Sequence, residues 1–133
     1  MPAMIFVNLP VKDLDSSKAF FTKLGFTINP QFTDETAACV VISDDIFAML
    51  VTHPKFKQFT SREIADAHKT TEVLTCLSCE TREKVDQMVE TAVKSGGAKH
   101  RDPQDHGFMY ERSFCDPDGH IWELVWMNPA HIQ

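Results

Sequence analysis

Apolar residues alternate with polar ones in several short segments, and two such segments open similar halves of the chain. In residues 4–11 every second position is apolar, which predicts a half-buried strand. Residues 73–79 form a second segment of this kind. Pro10 lies near the end of the first segment and favours an edge or a strand end there, because proline cannot donate to a sheet ladder.

A segment with helical spacing follows each of these strands. In the first half, Asp15 is expected to cap a helix over about 16–24, and Gly25 is expected to end it. In the second half Thr81 is the expected cap. The second helix has the clearer apolar face, formed by Val85, Met88, Val89, Ala92 and Val93.

The remaining segments complete two copies of one plan. Further strands are predicted at about 26–32, 36–43 and 46–52, and at about 98–101, 108–115 and 121–127. A connector over 53–72 joins the halves and is expected to contain a short helix near 61–68. We therefore predict one α+β domain over 1–133, built from two βαβββ modules at about 4–52 and 73–127. Their curved sheets are expected to enclose a cleft, with the helices on the outer face.

Composition narrows the functional classes. Of 133 residues, 43% are hydrophobic and 24% are charged, which is typical of a globular protein rather than a disordered one. The net charge of −6 and the absence of a basic run argue against nucleic acid as a partner. No apolar stretch predicts a membrane span, and a first segment without basic residues predicts a cytoplasmic protein. The four cysteines are interpreted as reduced core thiols.

Glu123 is the main candidate functional residue. It lies in the apolar strand Ile-Trp-Glu-Leu-Val, which should be buried on both faces. A carboxylate there costs free energy unless it is paired, protonated or bound to a metal ion. A carboxyl with a raised pKa could act as a general base or bind a ligand amine. It could also be held by hydrogen bonds with no chemical role.

The partner of Glu123 depends on the turn at Asp116–Gly119. If this turn carries a glycine bulge, Ser113 lies opposite Glu123 and Phe114 is buried on the helix side. Without the bulge, Arg112 becomes the partner. The bulge is favoured because it buries Phe114. Asn8 and Cys76 are the other polar groups expected on the cleft face.

Three segments together resemble a known family. They are Val11-Lys-Asp-Leu-Asp-Ser-Ser17, Leu24-Gly-Phe26 and the closing Phe114-Cys-Asp-Pro-Asp-Gly-His-Ile-Trp-Glu-Leu124. With the repeated plan, they resemble the vicinal oxygen chelate superfamily, which includes glyoxalase I, extradiol dioxygenases, and fosfomycin-resistance and bleomycin-resistance proteins. The resemblance covers essentially the whole chain and is strongest to the small glyoxalase and bleomycin-resistance branch.

The resemblance implies where a metal site would lie. Metal-dependent members hold a divalent ion with four side chains, whose positions fall here on Phe6, Met49, Leu74 and Glu123. Phenylalanine and leucine offer no lone pair, and a thioether binds hard ions poorly. No histidine lies in 4–11, 46–52 or 73–79 that could replace them. We therefore expect no cofactor and no divalent metal.

The leading hypothesis is a metal-free protein that binds a small organic ligand in an apolar cleft, as bleomycin-resistance proteins do, and forms a homodimer. A lyase or isomerase with Glu123 as base, or a metal-dependent glyoxalase-like enzyme, is the alternative. A structural or partner-binding dimer is a third possibility, so whether the chain is an enzyme is left open. The predicted ligand-contact residues are Phe6, Asn8, Met49, Leu74, Cys76, Ser113 and Glu123.

Overall fold

The computed structural model describes residues 3–131. The chain divides into two compact units, with the boundary in the sequence between Asp66 and Ala67. The first contains β1 (Ile5–Val11), α1 (Leu14–Lys23), β2 (Thr27–Asn29), β3 (Ala37–Ser43), β4 (Ile46–Thr52) and α2 (His53–Phe56). The second contains β5 (Thr75–Ser78), α3 (Arg82–Lys94), β6 (Ala98–Lys99), β7 (Gln104–Asp105), β8 (Met109–Cys115) and β9 (Ile121–Met127). The predicted α+β class with two βαβββ modules is confirmed.

Each unit has one sheet, and the two sheets share a topology. The strand order is β1-β4-β3-β2 in the first unit and β5-β9-β8-β6 in the second. In both, the strand before the helix pairs in parallel with the last long strand, which pairs antiparallel with the strand before it. The second sheet also carries β7, which pairs with β8 and was not predicted.

The first helix is capped by a different residue from the one predicted. The Asp13 carboxylate accepts a hydrogen bond from the backbone N–H of Ser16 at 3.1 Å, which makes Asp13 rather than Asp15 the N-cap. Asp15 lies in the first turn and forms an i,i+3 ion pair with Lys18. The helix therefore starts two residues earlier than predicted, and Leu14 is buried with the rest of the helix face.

The second helix begins as predicted. The Thr81 side chain accepts from the backbone N–H of Lys84 at 3.0 Å. The buried face consists of Val85, Met88, Val89 and Ala92. Val93 was expected on the same face but is 37% exposed. It lies at the margin of the apolar stripe, about 100° from Ala92 around the helix axis.

Hydrogen bonds between α3 and β8 show which face of the second sheet α3 covers. The Asp86 carboxylate accepts from Tyr110 Oη at 2.6 Å and from Arg112 Nη1 at 2.8 Å. Tyr110 and Arg112 alternate with Glu111 along β8, so they share a face with Phe114 and its partner Trp122. That face contains the core of the second unit, while Glu111 and Ser113 point to the opposite face.

Several local predictions are wrong. The predicted strand at 26–32 ends at Asn29, because Pro30 begins a 3₁₀ turn. No helix forms over 61–68, and the short helix of the connector is α2 instead.

The prediction of four core thiols also fails, since only Cys39 is buried and Cys76 is exposed. Cys76 lies on the short edge strand β5, on the face away from α3. All four thiols are free. None of the helices within 3–131 has the length and apolar character needed to cross a bilayer.

Candidate functional site

The turn before β9 is fixed by a buried carboxylate. Asp116 Oδ1 accepts from the backbone N–H groups of Asp118 and His120, both at 3.0 Å. Its Oδ2 accepts from Trp122 Nε1 at 3.1 Å. Gly119 completes the turn at φ +87°, and a Cβ there would lie 2.8 Å from the backbone nitrogen of His68. Glycine is therefore required for both conformation and space.

This turn sets the register of β8 and β9. Ser113 lies directly opposite Glu123, and Phe114 lies opposite Trp122. The predicted bulged register is confirmed. The alternative partner Arg112 faces Leu124 instead and binds Asp86 on the α3 side.

The other neighbour of Glu123 comes from β5. Cys76 is its partner in the parallel ladder, so Cys76, Glu123 and Ser113 lie side by side on three strands. Leu74 has the same parity as Cys76, but it precedes the strand and is 53% exposed. Cys76, and not Leu74, is thus the β5 residue beside Glu123.

A second carboxyl group shares this face. Glu111 lies two residues before Ser113 on β8 and faces Val125, which makes it a diagonal neighbour of Glu123. We call the surface formed by Cys76, Glu111, Ser113 and Glu123 the Glu123 face. Glu111 was not among the predicted site residues, although strand parity from Ser113 already places it on this face.

Burial raises the pKa of Glu123, and the charge of Glu111 and a carboxyl–carboxyl hydrogen bond with Glu111 raise it further. Arg101 and His100, from the segment after β6, oppose this shift. Burial and the neighbouring carboxyl of Glu111 therefore both disfavour the ionised form of Glu123.

The remaining two members of the face are a thiol and a hydroxyl. Desolvation of its sulfur raises the pKa of Cys76 to about 11, and the charges of Glu123 and Glu111 contribute. The thiol is therefore protonated at neutral pH and is a poor nucleophile. Ser113 is only 2% exposed, and its Oγ is buried without a hydrogen-bond partner in the described part of the chain.

The corresponding face of the first unit is apolar. Met49 on β4 lies between Asn8 on β1 and Cys39 on β3. Next to them Phe6 stacks on Phe47, with ring centroids 4.7 Å apart. We call the surface formed by Asn8, Ala37, Cys39 and Met49 the Met49 face. Asn8 is exposed, and its Nδ2 donates to the carbonyl of Phe6 at 3.2 Å.

The residues at the four positions that the family resemblance implies do not fit a divalent metal. Only Glu123 offers a suitable donor, because Phe6 and Leu74 have none and the Met49 thioether is soft. Over residues 3–131, no three side chains among His, Cys, Asp and Glu are grouped so that they could hold an ion. The polar groups beside Glu123 are instead one carboxyl, one hydroxyl and one protonated thiol.

Comparisons with known proteins place this arrangement in context. A family model described as "Bleomycin resistance protein-like N-terminal" matches residues 4–43. The solved structure of hypothetical protein SA1046 from S. aureus is 30% identical, with a TM-score of 0.79 and 95% of each chain covered. No curated protein matches.

Two more distant solved structures share the fold. One is a glyoxalase/bleomycin resistance protein/dioxygenase family enzyme from Burkholderia phytofirmans PsJN, at 17% identity and a TM-score of 0.78, covering 95% of this chain and 99% of that one. The other is a bleomycin resistance determinant encoded on the transposon Tn5, at 22% identity and a TM-score of 0.64, covering 95% and 98%.

Proposed function

The chain belongs to the vicinal oxygen chelate superfamily, in its glyoxalase and bleomycin-resistance group, and on this premise we propose that it binds a small organic ligand without a metal ion. The observation that carries the proposal is the donor set. Three of the four implied metal positions hold Phe6, Met49 and Leu74, while Glu123 keeps a carboxyl with hydrogen-bonding neighbours.

The polar part of the ligand would contact the Glu123 face. Glu123 and Ser113 offer hydrogen-bonding atoms on adjacent strands, and Cys76 adds a protonated thiol. Phe6, which is 44% exposed, and Met49 form an apolar surface within the first unit, and we propose this surface as a separate contact for aromatic or aliphatic groups. Asn8 and Leu74 complete the proposed contact residues.

A catalytic role is the second candidate, and the raised pKa of Glu123 is the observation that favours it. A carboxyl whose pKa is raised toward neutrality is a better general base than an ordinary glutamate. The reaction would be an isomerisation or elimination that begins with proton removal from carbon. If a substrate is found, Glu123→Gln should abolish turnover even at saturating substrate; unchanged turnover would exclude Glu123 as the base.

The homodimer is a separate part of the proposal. Met4, Ile5, Phe6 and Ile46 are large apolar residues exposed at one end of the first sheet. Large apolar residues exposed together at one end of a sheet commonly contact another protein. Light scattering coupled to size-exclusion chromatography should give twice the chain mass, and a monomeric mass at micromolar concentration would contradict the dimer.

Metal analysis and a thermal-shift screen test the binding function together. After dialysis, the purified protein should hold no stoichiometric Zn, Ni, Mn or Fe, and at least one small aromatic compound should raise its Tm in a concentration-dependent way. Phe6→Ala should weaken that response. Phe32→Ala is the matched control, because Phe32 is also an exposed phenylalanine but lies in the 3₁₀ turn and not on a strand of the sheet. A retained stoichiometric metal, or no response across the screen, contradicts the proposal.

A further inference from the structure

The Glu123 face contains three oxygen-bearing side chains on two neighbouring strands. Ser113 and Glu123 are directly opposite each other, and Glu111 is two residues from Ser113 on the same face. Glu111 is thus the diagonal cross-strand neighbour of Glu123, and its charge raises the pKa of Glu123. Two carboxyl groups at this separation repel each other when both are ionised, which costs free energy unless a positive group lies between them.

The Ser113 hydroxyl is an independent indication that this face binds a ligand. Its Oγ is buried and has no hydrogen-bond partner within residues 3–131. A buried hydroxyl without a partner costs free energy, so native proteins nearly always satisfy it with protein, water or ligand. Because Ser113 is the direct cross-strand neighbour of Glu123, a group that satisfies Oγ would also reach the carboxyl pair.

The charged surroundings favour a cation over an anion. The two basic groups that act on Glu123 are Arg101 and His100, both exposed and both in the segment after β6. On β5 the neighbouring Cys76 thiol is neutral. Within the ladder itself, the groups that face Glu123 therefore carry negative charge or none, and an anionic ligand group would be repelled.

We propose that the ligand of the Glu123 face is an organic cation, whose ammonium or amidinium N–H groups donate to Glu111, Glu123 and Ser113 Oγ. This inference rests on the proposed binding function and adds the chemical class of the ligand. An ammonium group has three N–H donors, one for each of the three side chains. The positive charge lets both carboxyl groups ionise, and a hydrogen bond to a charged group is stronger than one between neutral groups.

The test compares two probes of nearly equal size, benzylamine, which is cationic, and benzyl alcohol, which is neutral, by titration calorimetry on the full chain at pH 8. Benzylamine should bind at least about tenfold more tightly. Glu111→Gln and Glu123→Gln should each lower benzylamine affinity about tenfold, and Ser113→Ala a few-fold. Glu90→Gln is the matched control, because Glu90 lies exposed on α3 and its substitution should change nothing.

Two results would overturn the inference. Equal affinity for the two probes would refute cation selection but leave the binding of neutral organic ligands intact. No detectable benzylamine binding would also refute it, while the thermal-shift screen would decide the binding function separately. In case a variant does not fold, benzylamine should shift the amide resonances of Ser113 and Glu123 in the unmodified protein. Shifts confined to other regions would reject the site.

Discussion

The Met49 face and the Glu123 face occupy equivalent places in two sheets of the same topology, yet they differ in chemistry. Met49 lies opposite Cys39 in the antiparallel ladder, as Glu123 lies opposite Ser113. On the parallel side, Asn8 takes the place of Cys76. The position of Glu111 is held in the first unit by an alanine, Ala37, which faces Val51 as Glu111 faces Val125.

The Met49 face stabilises its sheet by packing, whereas the Glu123 face carries polar groups that can bind or react. In the first unit Cys39 is fully buried and Phe6 stacks on Phe47, so the ladder is stabilised by packing. In the second unit the same rungs hold a carboxyl pair and an unpartnered hydroxyl, which cost stability unless a ligand compensates. Groups that weaken a fold are kept where they bind or react, so the second unit is the place to look for function.

The largest expected difference between the two units comes from the turn that joins the last two strands of each. Asp116→Ala removes three hydrogen bonds, including the one that the buried Trp122 Nε1 donates. We expect a loss of about 3 kcal/mol in the free energy of unfolding. Urea denaturation followed by tryptophan fluorescence measures it.

The equivalent turn of the first unit supplies the control for this prediction. Asp44 is exposed in the turn between β3 and β4. Asp44→Ala should therefore change stability by less than about 0.5 kcal/mol. If the two variants lose similar amounts, the buried carboxylate is not what distinguishes the second turn.

A carboxyl group introduced on the Met49 face should lower the stability of the protein. Met49→Glu places a carboxyl beside Cys39, with Ala37 where Glu111 would stand. At pH 7 we expect a loss of about 2 kcal/mol, which should shrink toward pH 4.5 as the carboxyl becomes protonated. Met49→Gln, which cannot ionise, should show no such pH dependence. A pH-independent loss in both variants would mean that lost packing, and not charge, is responsible.

The plan of the fold could be predicted because its signals are local. The two strands with the strongest apolar pattern, β4 and β9, were predicted residue for residue. The register around Glu123 followed from one physical requirement, the burial of Phe114, which is 1% exposed. Turn residues and the alternation of apolar positions were therefore enough to predict both the topology and the cross-strand partner of Glu123.

The details that were missed depend on tertiary pairing. The sequence cannot show where β5 begins, because its pairing with β9 and not its own composition decides that Cys76 rather than Leu74 lies beside Glu123. Asp13 and Asp15 are equally good caps by residue type, and burial of Leu14 decides between them. Glu111 could have been found, since the predicted register already fixed its face.

Replacing the acid in the second unit should have the opposite effect to adding one in the first. Because the folded-state pKa of Glu123 is raised above its ordinary value, protonation stabilises the fold below pH 4.5. That stability is lost as the pH rises through the folded pKa. Glu123→Gln should therefore match the unmodified protein at pH 4 and be the more stable one at pH 8.

Urea denaturation at the two pH values measures the difference in the free energy of unfolding between Glu123→Gln and the unmodified protein. Glu90→Gln is the control, because it shows the effect of removing an exposed carboxylate. Since both proteins share every other titrating group, their difference isolates Glu123. A Glu123→Gln variant that is less stable than the unmodified protein at pH 8 would show that the ionised carboxylate is compensated, contrary to the comparison of the two faces.

The smallest expected effect concerns β7, the strand that the second unit has and the first lacks. Arg82 forms an ion pair with Asp105, and its guanidinium lies over the rings of Tyr110 and Trp126, at 4.6 and 5.4 Å from their centroids. Arg82→Gln should cost about 0.5–1 kcal/mol at most, because the pair is partly exposed. It should raise hydrogen exchange selectively at the backbone amides of β7 and of His106. Lys84→Gln is the control, because it removes the same charge from the same helix without these contacts. If it raises hydrogen exchange in β7 equally, the effect is due to charge alone, and the Arg82–Asp105 ion pair does not stabilise β7 specifically.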